Sequence, residues 1–413
     1  PASGYRTFSA NELTEGKITK DKLSAFSTPY FKVVFDLKKG GITSLIEKST
    51  GRELVDQSSK YVIGQFLHER FSSNEIDTWF NAYSRIKDGW GLNDLGKPGM
   101  PNATESPYLA FTPADWNMNV THDAVADVAT LTSDSTDGFA KGYTLTFTFP
   151  RDAAYVDVKW AVASKTPEKI PEGGWLCFPF NVEKPTFTIG RLGGPIDPAK
   201  DIIPGTNRYL MAVTTGVAIT EPNKSGMALT SEDAPLLSLG EPGLWKFSMD
   251  HVPTIPSVFV NLYNNMWNTN YPLWQDGSWT EKVRIWPVGK GSNAVSNLAQ
   301  YGWETRLQLL TGVTEGYPGN LPVTKTGISV SRAGVLITAF GNNPDGNGTI
   351  LRLWEQAGIP GNCTVKLGLG NSVKAVIPID LRGNTMGKKI LVNKGTFSFY
   401  LRKYAPASFL LVY

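Results

Sequence analysis

The stretch FKVVFDLKKGGITSLIEKSTGRELV, from Phe31 to Val55, constrains the fold more tightly than any other. Phe31, Val33 and Phe35 alternate with Lys32, Val34 and Asp36, the two-residue period of a half-buried strand. Lys39-Gly40-Gly41 follows, with the glycines that a tight hairpin turn needs for positive φ. The signature recurs in TLTFTF (144–149) and YVDVKWAV (155–162), joined by PRDAA, and further strands are expected at 175–182, 209–220, 225–230, 257–263, 281–286 and 303–310. The best helix candidate, Asn293 to Tyr301, is short. With 41 Gly and 27 Pro in 413 residues, turns are frequent enough for many short strands. The expected class is all-β, in large antiparallel sandwiches.

A Gly-, Pro- and Thr-rich boundary, TGVTEGYPGNLPVTKT (311–326), separates residues 26–312, the large sandwich, from a C-terminal region at 313–413. That region packs about seven strands into roughly 90 residues, the dimensions of a small immunoglobulin-like sandwich. Residues 1–25 read as a lead-in strand and polar connector. The chain opens PASGYRTFSA without Met, so we expect it to be processed or cut from something longer. Residues 68–120 are aromatic, turn-rich and weakly periodic, and are expected to cover a face of the large sandwich or dock on a neighbouring domain.

Several function classes lose support. The net charge is +3 and the basic runs, such as Lys38-Lys39 and Lys388-Lys389, are two residues long, which does not make a nucleic-acid stripe. No segment approaches 18 consecutive apolar residues, so no membrane-spanning helix is expected. Two cysteines, Cys177 and Cys363, and three histidines give no zinc spacing; no metal or cofactor is expected, and the cysteines read as buried thiols that could also pair. G-x-S-x-G, Walker and H-E-x-x-H motifs are absent. His68 and Glu69 could form an acid–base pair, but neighbours on a strand point to opposite faces. His122-Asp123 is a similar adjacent pair, and His251 has no recognisable partner nearby. Asp276 and Glu281 form a carboxylate pair of the kind glycosidases use, at a spacing common by chance.

The strongest signal is NLYNNMWNTNYPLWQDGSW, from Asn261 to Trp279. Alternation stops after Tyr263, and Pro272 and Gly277 mark residues 264–279 as loop. Its aromatic and Asn content suits two readings. Either Asn side chains pin an ordered loop packed by Trp, or indole faces and amides form a platform for sugar rings.

Four stretches carry a resemblance to glycoside hydrolase family 38 α-mannosidases: PASGYRTFSA (1–10), FKVVFDLKKGGITSLIEKSTGRELVD (31–56), VFVNLYNNMWNTNYPLWQDGSW (258–279) and RLWEQAGIPGNCTVKL (352–367). The resemblance is to that family's C-terminal β-sandwich region. It implies a large mutarotase-like supersandwich followed by a smaller β-sandwich. The family's nucleophilic Asp and metal site belong to an N-terminal barrel, whose zinc ligands begin with H-x-D; no His here is followed two residues later by Asp. The resemblance therefore implies a non-catalytic portion whose partners are carbohydrate and an N-terminal catalytic domain. It places Asn264, Asn265, Trp267, Asn268, Thr269, Asn270 and Tyr271 at a sugar pocket, and Trp274 in the same loop is a further pocket-lining candidate. Two alternatives stay open. One is a self-contained epimerase or polysaccharide lyase, which needs a His beside a carboxylate or Tyr in one cleft. The other is an assembly module with the aromatic loop as its interface.

Overall fold

The computed structural model describes residues 3–9, 23–89, 96–192, 194–223, 225–315, 319–344, 346–369 and 372–413, with 19–21 as backbone. Most of the connector SANELTEGKITKDK, the 90–95 part of the 68–120 region and the centre of the 311–326 boundary lie outside them. The chain forms two compact units, one of residues 16–191 and 196–294, the other of 1–15, 192–195 and 295–413. Among the described residues, no helix is long and apolar enough to cross a membrane.

The larger unit is an antiparallel sandwich. One sheet places Thr186–Arg191, Gly216–Thr220, Gly226–Ser231, Gly277–Val288, Val156–Lys165, Gly142–Pro150, Ala126–Ser133 and Asn117–His122 side by side. The other orders Met211–Ala212, Leu236–Leu239, Ser257–Asn264, Glu172–Pro179, Gln65–Arg70 and Leu109–Phe111. Phe66, Leu176, Phe178, Val258 and Val260 of the second sheet share one core with Leu145, Phe147, Val158, Trp160 and Ile285 of the first. Phe31, Val33 and Phe35 enter the same core, while Lys32 and Val34 stay exposed, as the alternation requires.

The outer face of the six-stranded sheet is covered as well. Leu67, Trp175, Cys177 and Phe259 pack there against Ile76, Trp79 and Trp245. Cover on both faces explains why Glu172–Pro179 is buried at every position. Ile76 and Trp79 come from a helix, Ser73–Tyr83, within the segment read as weakly periodic loop. Its start was encoded: Ser72 caps the helix, and Glu75 three residues on accepts from the Ser72 backbone N–H, completing a capping box.

The smaller unit contains a second sandwich. Ser329–Val330, Gly361–Lys366 and Thr396–Leu401 form one sheet; Val335–Asn342, Thr349–Glu355, Pro406–Val412, Ala375–Ile379 and Ile390–Leu391 form the other. Leu351, Leu353, Cys363, Val365, Phe397 and Phe409 fill it. Both cysteines are free and buried.

Three expectations are corrected. Residues 303–310 are not a strand: the helix Ala294–Arg306 takes up 303–306, burying Leu298, Ala299, Gly302 and Thr305 at helical spacing, and 307–310 follow it outside any strand. The 209–220 strand is two pieces in different sheets, since the chain crosses the sandwich between Ala212 and Gly216. The aromatic loop ends earlier than Trp279, because the strand Gly277–Val288 begins at Gly277.

Candidate functional site

The aromatic loop, residues 265–276, connects Ser257–Asn264 to Gly277–Val288. It leaves the sheet through a bulge, where the pairing of Glu172–Pro179 with Ser257–Asn264 shifts between Gly174 and Trp175. The Asn261 amide fills the resulting gap, donating to the carbonyls of Gly174 (3.2 Å) and Tyr263 (3.1 Å) and accepting from Asn264 Nδ2 at 2.7 Å. Asn265 accepts from the Glu172 backbone N–H at 2.6 Å and donates to the carbonyls of Glu168 and Ile170, both at 3.1 Å. These asparagines supply the backbone partners that a loop leaving a buried sheet needs.

Two lysines brace the rest. Lys97 Nζ donates to the carbonyls of Trp267 (2.9 Å) and Leu273 (3.0 Å), and burial holds its pKa below the ordinary lysine range. Lys165 Nζ donates to the Gln275 carbonyl at 2.9 Å. The Trp267 ring packs on Trp79 and Tyr83 of the helix Ser73–Tyr83, with centroids 5.8 and 6.3 Å apart. Between the braces the chain turns through Asn270, at φ 63, a conformation Asn tolerates. Tyr271 is left 65 % exposed and Trp274 39 %.

A concavity of ≈ 700 Å³ lies against this loop. Asn264, Asn265, Trp267, Tyr271 and Trp274 line it together with Met266, Gln275 and Asp276; Asn268, Thr269 and Asn270 do not. Asn264 Nδ2 and the whole Asn265 amide are spent on the protein, so the groups left to contact a ligand include the Tyr271 and Trp274 rings, the Gln275 side-chain amide and the Asp276 carboxylate. Glu281, the other half of the sequence pair, does not line the concavity; its carboxyl is raised to about 7 by burial and then by Asp233.

Beneath the loop lies a charged cluster that sequence reasoning missed. Lys165 and Glu172 form an ion pair at 2.5 Å, with both side chains 1 % exposed. His68 Nδ1 meets the Tyr263 hydroxyl at 2.8 Å, and His68 Nε2 lies 3.7 Å from Glu172 Oε2. Gly174 makes this possible. It sits opposite His68 on one side and Tyr263 on the other, and a Cβ there would lie 2.2 Å from the Tyr263 ring. Two strand spacings are about 9.6 Å, and the missing side chain lets the tyrosine span them. Burial lowers the His68 pKa to about 3, so the ring is neutral, and pushes the Tyr263 phenol well above its ordinary value. The protonated phenol then donates to Nδ1, leaving the Nε2 proton facing Glu172. Burial raises Glu172 to about 7, against the pull of Lys165.

These shifts act on stability in opposite directions. The depressed His68 contributes stability that is present above its ordinary 6.5 and lost as pH falls toward 3. The raised Glu172 contributes stability that is present below 4.5 and lost as pH rises through 7. Between 4.5 and 6.5 they cancel. In Glu172→Gln the acid loss therefore begins near pH 6.5 instead of 4.5, with a slope of about 1.4 kcal/mol per pH unit. Urea midpoints of variant and wild type across pH 4 to 7 check this; a pH-independent difference contradicts it.

No histidine lines the loop concavity. His68 meets a Tyr and a carboxylate, but it is sealed at 0 % exposure. His122 pairs with Asp127 at 2.6 Å, which Arg151 also holds at 2.6 Å. His251 stacks on Tyr209 with centroids 4.1 Å apart. Among the described residues, no group of three His, Cys, Asp or Glu is placed to hold a metal ion.

No protein-family model matches the chain, and no curated protein matches it. Solved structures do. An α-mannosidase from Enterococcus faecalis V583 aligns with 97 % of this chain at 10 % identity and TM-score 0.64. A glycosyl hydrolase family 38 protein from Enterococcus faecalis aligns with 97 % at the same identity and score. A galactose mutarotase-like protein from Lactobacillus casei ATCC 334 aligns with 64 % at 12 % identity and TM-score 0.33. The chain spans 43 % and 45 % of the length of the first two. At these identities, what it shares with the two Enterococcus proteins is the fold.

Proposed function

We propose that this chain is the non-catalytic, C-terminal β-sandwich portion of an α-mannosidase-like glycoside hydrolase of family 38 type, and that the tip of its 265–276 loop faces carbohydrate beside an N-terminal catalytic domain. One observation carries the reading: Tyr271 and Trp274 stand exposed on a loop that two lysines and Asn265 hold in place. Exposed aromatics on a braced loop lose little conformational entropy on binding, and their faces suit the C–H faces of pyranose rings. The fold shared with the two Enterococcus proteins supports the same assignment.

Titration of the chain with mannose and α-linked mannobiose, followed by tryptophan fluorescence, tests it. Saturable binding is expected, weakened about tenfold in the Tyr271→Ala/Trp274→Ala double variant, since each aromatic contact is worth about 0.5–1.5 kcal/mol. Turnover of a nitrophenyl α-mannoside by this chain alone contradicts the non-catalytic assignment.

A second reading, an assembly module, is favoured by one apolar run. Leu307, Leu309, Leu310 and Val313 are 66 %, 93 %, 100 % and 92 % exposed. Four apolar residues this open within seven positions suit an interface with a further domain.

A further inference from the structure

The strand Gln65–Arg70 sends His68 into the sandwich and Glu69 to the opposite face. Glu69 is 7 % exposed, and it lines a cleft of ≈ 830 Å³ that shares no lining residue with the loop concavity. Its carboxylate accepts from the Tyr108 hydroxyl at 2.7 Å and from Trp175 Nε1 at 2.8 Å. An ionised carboxylate has about four lone-pair sites, so two donors leave it acceptor capacity. Burial raises its pKa, and the bonds from Tyr108 and Trp175 oppose the rise.

Trp245, 4 % exposed, lines the same cleft, and its Nε1 is a buried donor with no partner among the described residues. A buried indole N–H normally finds a partner, so this unpartnered donor on a cleft-lining residue points to a ligand acceptor. Tyr61 and Phe259 add aromatic walls. The charged lining is acidic on balance, with Asp56, Glu69, Glu75 and Glu241 against Lys60 and Lys246. Three of those acids are already engaged: Asp56 accepts from the Ser58 hydroxyl at 2.7 Å and backbone N–H at 2.9 Å, Glu75 belongs to the Ser72 capping box, and Glu241 pairs with Lys246 at 2.7 Å. The combination of an acceptor with spare lone pairs, an unpartnered donor, aromatic walls and an acidic surround selects a neutral, hydroxyl-rich ligand and disfavours an anion. The volume lies within the range of small-molecule sites.

We propose that this cleft is a second ligand site, for a neutral mono- or disaccharide, with Glu69 accepting from a sugar hydroxyl and Trp245 Nε1 donating to a sugar oxygen. It does not rest on the role assigned to the 265–276 loop.

The test is a titration of the full chain with methyl glycosides of glucose, galactose and mannose, their disaccharides and the matching uronates, at about 10 mM, a range that detects millimolar affinities. The readouts are the indole N–H resonance of Trp245, assigned by its loss in Trp245→Phe, and that of Trp175, which donates to Glu69 and reports binding in that variant. At least one neutral saccharide is expected to shift it. Glu69→Gln weakens that binding at least tenfold. Trp245→Phe, which keeps an aromatic six-membered ring and removes the N–H donor with the pyrrole half, weakens it at least threefold, so the site stays testable if Glu69→Gln fails to fold. Tyr271→Ala/Trp274→Ala leaves the affinity within twofold. The proposal is overturned if no neutral saccharide moves the resonance, if uronates bind as tightly, if Trp245→Phe binds like wild type, or if the loop variant abolishes the shift.

Discussion

Lys165→Met is expected to lower the free energy of unfolding at pH 7 by about 3–5 kcal/mol, the cost of removing one partner from a buried ion pair. Lys165 ends the strand Val156–Lys165, a place where a lysine ordinarily reaches water, yet it is 3 % exposed. It donates to Glu172 Oε1 at 2.5 Å, to the Thr166 carbonyl at 3.0 Å and to the Gln275 carbonyl at 2.9 Å, and lies 5.2 Å from the centre of the Tyr263 ring. Methionine fills the volume and supplies none of the three donors. Glu172 then loses the ammonium that opposes its burial, so its pKa rises beyond about 7. A raised carboxyl loses stability as pH increases through its folded pKa, so the penalty grows above pH 7 by up to about 1.4 kcal/mol per unit. Lys165→Met/Glu172→Leu, which removes both charges, should recover at least half of the loss. Urea denaturation at pH 6 and 8 measures both effects, and hydrogen exchange across 265–276 reports whether the loop loosens with the pair. A Lys165→Met variant within about 1 kcal/mol of wild type contradicts the account.

That cluster also shows where the sequence stops being legible. The all-β class was written locally: Phe31, Val33 and Phe35 alternate because one face of their strand meets the core, and a two-residue period needs no knowledge of the partner strand. The stop of the alternation after Tyr263 was legible for the same reason, one residue short of the strand's end at Asn264. Lys165, Glu172, Lys97 and Gln275 are brought together only by the pairing of distant strands, and each read alone is an ordinary polar residue. The helix Ser73–Tyr83 was missed because only Ile76 and Trp79 are buried in it, too few to show a period, although Ser72 and Glu75 spelled its cap. At 303–310 the spacing of Trp303, Leu307 and Leu309 imitates alternation. The helix wins through its buried Leu298, Ala299, Gly302 and Thr305, and Leu309 is left 93 % exposed. Of the loop residues, Asn265 and Trp267 are bound into the fold while Tyr271 and Trp274 are presented. Sequence could not divide them, because pinning and sugar contact call for the same side chains.

Glu355 carries the second large effect. It lies in the stretch RLWEQAGIPGNCTVKL. It ends the strand Thr349–Glu355 with 0 % exposure. Oε1 accepts from the backbone N–H groups of Ala357 (2.9 Å) and Ile359 (3.2 Å), and Oε2 from those of Gly358 (3.0 Å) and Tyr404 (2.8 Å). The turn that presents the first three passes through Gly358 at φ 73, a left-handed position where a Cβ would lie 2.3 Å from the Tyr404 hydroxyl. Successive N–H groups converging in this way form an anion nest, and the protein fills it with its own carboxylate. Glu355→Ala deprives four donors at once. Gly358 is half-buried and Ile359 and Tyr404 are exposed, so water reaches part of the gap, and the expected loss is about 3 kcal/mol instead of the sum of four charge-assisted bonds. Glu355→Gln keeps one oxygen and turns an amide toward two donors, so it should lose about half as much. Hydrogen exchange should rise in both variants at Ala357, Gly358, Ile359 and Tyr404, most at the buried Ala357. If stability falls while those four amides keep their wild-type exchange, Glu355 acts through packing and not as the nest's anion.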